Sequence, residues 1–204
     1  MSLRTEVEKF ENWASSYPVE HRSGEWECDY SEWNTFHAAA LTFLASSSLA
    51  EWSELDVRDL LYAIARDNEI EYLVEEVAKN VDVLLKLSEL AVSSSEVDAK
   101  WQLAVQLGTL SSHKQEAEAL LLQFVEDKNE YVSRRALLSL GLLKSVKAEV
   151  LAERAWETGH EYQRIAALWV LKSVAPGKLA DYLRRAKEDG RQYVVQNAIE
   201  VQEA

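Results

Sequence analysis

The side chains in this sequence that could do chemistry are four histidines, one cysteine, and groups of tryptophans, carboxylates and arginines. His21, His37, His113 and His160 show no His-x-x-x-His spacing, and the single Cys28 cannot form a Cys-x-x-Cys pair, so the usual metal-ligand patterns are missing. His160-Glu161 is a lone His–Glu pair. The positions 31 residues to either side hold Asn129-Glu130 and Arg191-Gln192, and one pair supplies too few ligands for a metal. His37, among Phe36, Ala38, Ala39 and Ala40, reads as a core or boundary histidine. Cys28 lies among Glu25, Glu27 and Asp29, whose negative charge raises a thiol's pKa and argues against a nucleophile. No Gly-x-Ser-x-Gly and no glycine-rich phosphate loop occurs. The expectation is a non-catalytic chain with no metal and no cofactor.

Binding chemistry is better represented. Trp26 and Trp33 sit with Glu25, Glu27 and Asp29 in an acidic, aromatic stretch beside the least regular part of the chain, 19–30. Aromatic rings amid carboxylates can anchor a basic protein surface. The same stretch could instead fold back and plug the first pair of helices. Arg134, Arg135 and Arg164 are the most basic part of the second half, able to grip carboxylates or phosphates bidentately, or to pair with acids of neighbouring helices. Trp101, Trp156 and Trp169 recur at helical spacing and read as packing residues.

The elements that must position these residues are helical. With 6 Gly and 2 Pro in 204 residues and 48% hydrophobic residues, the composition favours helices joined by short turns around a continuous core. The longest mainly apolar run, 36–45, is far too short to span a membrane. The first residues lack an apolar signal core, and one cysteine fits a reducing, cytoplasmic setting. The net charge of −13 is uneven. Residues 1–127 carry 9 Lys/Arg against 25 Asp/Glu, and residues 128–204 carry 13 against 10. Such acidity opposes nucleic acid and membrane surfaces and favours a basic protein partner, and it also serves solubility.

Apolar residues at spacings of three and four place helices along the whole chain. Ser53 with Asp56 reads as a capping box, and Asn68 with Glu71 and Asp127 with Glu130 read as variants of it. Gly108 reads as a left-handed C-cap, and Pro176-Gly177 as a break. The result is about twelve helices. Tyr131, Tyr162 and Tyr193 recur every 31 residues, as do Ala136, Ala167 and Ala198, which marks a solenoid of stacked units.

The segments 130–141 and 160–171 resemble the second helix of a HEAT repeat: an acidic residue before the helix, then Ala, Leu and Gly or its equivalent at helical spacing. Arg164 stands at the family's arginine position, where the other copies hold Ser133 and Val195, and 97–108 resembles a degenerate fourth copy. The resemblance implies an all-α, right-handed solenoid of antiparallel helix pairs. Its repeats span 96–204 with a period of about 31, and an acidic helical part, 1–95, caps the stack within one continuous domain. It also implies that Arg134, Arg135 and Arg164 line a concave surface. HEAT-repeat deoxyhypusine hydroxylases bind iron through several His–Glu pairs, a set this chain lacks.

Three functions follow from the resemblance and the charge. The first is a protein-binding module for a basic partner, as in HEAT-like toxin-neutralising (immunity) proteins. The second is a nucleic-acid-binding protein similar to HEAT-like DNA glycosylases, with Trp101, Arg134 and Trp169 in a groove; the acidic first part opposes it. The third is a scaffold or chaperone for another enzyme, as in HEAT-like phycobilin lyases.

Overall fold

Several helix starts in this chain are set by side chains that accept from the first free amides, as at Ser2, Ser53, Asn80 and Asn129. The computed structural model describes residues 2–203, and among them are twelve α-helices and no strand. They are α1 (Leu3–Ser16), α2 (Trp33–Ser46), α3 (Glu54–Arg66), α4 (Tyr72–Ala78), α5 (Val81–Ala91), α6 (Val97–Gly108), α7 (Lys114–Phe124), α8 (Glu130–Leu142), α9 (Ala148–Glu157), α10 (Glu161–Val174), α11 (Pro176–Asp189) and α12 (Gln192–Glu203). Ser53 accepts from the Asp56 amide at 3.2 Å while the Asp56 carboxylate accepts from the Ser53 amide at 2.9 Å, which is the capping box read from the sequence.

Two other starts differ from expectation. Glu71 precedes α4 in the left-handed conformation, φ 57°, with no cap from its side chain. The cap comes instead from Asp67, whose carboxylate accepts from the Leu73 amide at 2.7 Å. Helix α8 is capped by Asn129, which accepts from the Tyr131 and Val132 amides, while Asp127 receives the amide of Asn129 itself. Pro176 acts as the first residue of α11, where its missing N–H costs nothing, so α10 and α11 are separated by Ala175 alone.

The chain divides into two compact units, 1–103 and 104–204. In the first, α1 packs on α2 and α3, and α4 and α5 close on α3. Its core holds Phe10, Phe36, Leu60, Ile64, Leu73, Leu84 and Leu87, and Gln102 donates to the Ile64 carbonyl at 2.8 Å. In the second, α10 packs against α8, α9, α11 and α12, the nearest-neighbour arrangement of a solenoid. Tyr131, Tyr162 and Tyr193 occupy the second position of α8, α10 and α12, all exposed, and Ala136, Ala167 and Ala198 are buried below them. Trp156 of α9 is buried against Tyr182 of α11, with the guanidinium groups of Arg164 and Arg185 each 5.2 Å from its ring.

Gly108 is not the left-handed cap its position suggested; the glycines with positive φ are Gly24, Gly159 and Gly190. What Gly108 supplies is space. A β-carbon there would lie 2.7 Å from Ser139 Cβ and 2.9 Å from Ser139 Cα in α8. Backbone cannot yield as a side chain can. Gly108→Ala therefore destabilises the protein by about 1–3 kcal/mol, although alanine is the better helix former by about 1 kcal/mol. Urea denaturation checks this, and an unchanged or raised midpoint would contradict it.

Candidate functional site

The acidic, aromatic stretch of the first unit is partly folded inward. A 3-10 turn, Trp26–Asp29, lays Trp26 flat on Trp13 with ring centres 5.3 Å apart, and Arg22 lies 4.9 Å over the same ring. Trp33 packs against Phe10, Phe36 and His37, and its indole N–H donates to the Glu27 carbonyl at 2.9 Å. Both tryptophans end half-buried. Asp29 accepts the Tyr17 hydroxyl. Glu27 is buried with Arg66 at 3.9 Å, and burial pushes its carboxyl above the usual range. His37 Nε2 donates to the Asp67 carboxylate at 3.0 Å, the satisfied boundary role expected of it.

One residue of this surface was not singled out from the sequence. Glu69 meets Glu25, and its carboxyl is pushed up by desolvation, by the hydrogen bond to Glu25, and by repulsion from Glu25 and Glu27. The Cys28 thiol is raised by burial first and then by Glu25, Glu69, Glu27 and Asp29, as a non-nucleophilic cysteine requires. Ile70, 67% exposed, stands beside them at a shallow cavity of about 170 Å³ that Cys28, Trp33 and Glu69 also line. No local pattern joins Glu25 to Glu69; only the tertiary fold does. Among the described residues no group of three or more His, Cys, Asp and Glu is arranged to hold a metal.

In the second unit the three arginines do different work. Arg134 donates to Glu130 at 3.0 Å, and its guanidinium lies 4.7 Å from the Tyr131 ring and 5.1 Å from the Tyr162 ring, joining equivalent tyrosines of successive repeats. Arg135 lies 5.7 Å over Tyr131 and lines a groove of about 590 Å³ with Leu138, Lys144, Trp169 and Lys172. Arg164 turns away from these two. It donates to the Trp156 carbonyl at 3.1 Å and pairs with Asp189, which Arg191 also grips at 2.7 Å. This is the pairing with acids of a neighbouring repeat. His160 Nδ1 lies 3.7 Å from Glu130.

Asp189 ends α11, where the helix dipole opposes a carboxylate, yet Arg191 and then Arg164 hold its carboxyl far below the usual carboxylate range. A depressed folded pKa adds stability that is present above the unfolded value near 3.9 and lost as pH falls toward the folded one. Asp189→Asn leaves two arginines facing a neutral group and costs about 2–3 kcal/mol near neutral pH. Urea titrations should show the gap to wild type closing below about pH 3. A gap independent of pH would contradict this.

Residues 84–172, from within α5 through most of α10, match the family model for HEAT repeats. Comparison with curated proteins and with solved structures gave no match. HEAT repeats commonly mediate protein–protein interaction and are generally non-catalytic scaffolds. Among the described residues no helix is long and apolar enough to cross a membrane. The 31-residue register and the helix pairs that carry it overlap the matched segment, and residues 84–172 are HEAT repeats.

Proposed function

We propose that this chain is a non-catalytic protein-binding module whose first unit engages a basic partner protein, in the manner of a toxin-neutralising (immunity) protein. The charge supports it. Residues 1–103 carry 8 Lys/Arg against 21 Asp/Glu, whereas residues 104–204 carry 14 of each, so the whole net charge of −13 belongs to the first unit. The observation that carries the reading is the crowding of Glu69 against Glu25 and Glu27, its carboxyl pushed up by desolvation and by those two neighbours, beside exposed Ile70. A lysine or arginine from a partner would relieve that repulsion, and the surrounding negative field would steer its approach. A scaffold for another enzyme uses the same contacts. The nucleic-acid reading loses a residue, since Trp101 is buried with its indole N–H on Asp98 at 3.0 Å.

Pull-down with the intact protein at low salt should retain basic proteins that elute as added salt shortens the Debye length below about 5 Å. Glu25→Gln with Glu69→Gln should weaken the retained partner about tenfold, and affinity should rise with pH as the Glu69 carboxyl, held above its usual range, ionises. Retention of acidic proteins, or salt-resistant binding indifferent to the double substitution, would contradict the reading.

A further inference from the structure

The groove of about 590 Å³ in the second unit is built where α8 and α10 come closest. Gly141 lets them do so, since a β-carbon there would meet Val170 Cγ2 at 2.9 Å. Val105, Leu138, Gly141 and Val170 give it an apolar floor, and Leu142, 66% exposed, stands at its edge. Its charged lining residues are Arg135, Lys144 and Lys172, with no carboxylate among them. Elsewhere in the second unit Arg154, Arg164, Lys178, Arg184, Arg185 and Arg191 pair with acids. Among the described residues no carboxylate pairs with Lys144 or Lys172. The nearest partner of the Lys172 ammonium is the Trp169 ring at 5.7 Å.

Lys144 carries a second signal. It follows α8 at the position where its amide bonds the Gly141 carbonyl and the Ser145 amide bonds the Leu140 carbonyl, the double bond of a Schellman turn. Glycine is favoured there because φ is positive, and Lys144 has φ 55°. A residue other than glycine in that conformation carries a backbone cost, and such outliers gather at binding sites.

We propose that this groove receives an acidic peptide segment of a partner protein, with a large apolar side chain on the floor and carboxylates on Lys144 and Lys172. The volume lies within the roughly 300–1,000 Å³ typical of binding clefts. An apolar floor beside two lysines that meet no carboxylate complements a segment that is itself apolar and acidic. A nucleic acid suits it less. Phosphates need rows of donors, and the floor offers few: Ser139 is buried, and the Ser173 hydroxyl donates to the Gly141 carbonyl at 3.1 Å. The inference is independent of the basic-partner reading, because the two surfaces lie in different units and have opposite charge.

Selection of a phage-displayed random-peptide library on the full protein tests it. The expected winners include a class with acidic residues flanking one or two large apolar ones. That class should vanish on Lys144→Glu with Lys172→Glu and survive Glu25→Gln with Glu69→Gln. A winning peptide, followed by fluorescence anisotropy, should bind the lysine double variant at least about tenfold more weakly while its thermal midpoint stays that of wild type. Absence of an acidic class, or an acidic class indifferent to the lysine reversals, would overturn the proposal. Displacement of the peptide by an equal concentration of single-stranded oligodeoxynucleotide would also overturn it, making the groove a polyanion site. Loss of a basic class of winners alone would tell only against the reading of the first unit.

Discussion

Helix crossings with no room for a side chain govern the second unit. Gly108 faces Ser139, and Gly141 faces Val170, at separations that a single β-carbon would close below van der Waals contact. Small residues, Ala136, Ala167 and Ala198, are buried at one recurring position of the repeat. Packed interiors do not deform continuously, so such contacts fix how one helix lies on the next. Once α8, α10 and α12 share one register, residues 31 apart face the same way. That is how Arg134 comes to lie between Tyr131 and Tyr162, and why the groove opens beside Gly141.

Charge is organised differently in the two units. In the second, cations and anions balance and are largely consumed by pairs between successive helices. Lys178 meets Glu149 and Glu153, Arg185 meets Glu157, Arg154 meets Glu126, and Arg164 meets Asp189. Apart from the Arg164 pair, whose Asp189 carboxylate is buried, these pairs are largely exposed and add little stability, commonly about 0–1 kcal/mol each, but all of them cancel the field that the surface would otherwise project. Among the cations left over, Lys144 and Lys172 line one groove. In the first unit the acids outnumber the bases and cannot all cancel, so a negative field persists, to which Glu25, Glu27 and Glu69 contribute as near neighbours. A chain whose surfaces differ in this way is suited to holding other proteins by charge-assisted contacts over apolar footholds.

The spacing of Tyr131, Tyr162 and Tyr193, and of the alanines beneath them, made the repeat legible before any coordinates, because a stacked unit must return its buried residues at a fixed interval. The Ser53–Asp56 cap was legible because both partners lie within one turn. The failures share a cause. Asp67 caps α4 from outside its first turn, and Gly108 is explained by Ser139, a residue of another helix. The joining of Glu25 to Glu69, the turning of Arg164 toward Asp189 and the assembly of Lys144 and Lys172 into one groove are likewise tertiary facts. Residue type announced that Glu25, Arg134 and Arg135 could bind something. It could not say which arginines the fold would spend on its own packing.

The account rests on close approach at the helix crossings, and a double-mutant cycle between Gly141 and Val170 measures that approach directly. Unfolding free energies are needed for Gly141→Ala, Val170→Ala and the double variant. If the contact is as tight as described, the penalty of Gly141→Ala shrinks by at least about 0.5 kcal/mol once Val170 has lost its γ-carbons. An equal penalty in both backgrounds would show that the two helices do not touch there, and the shared register would lose its physical basis.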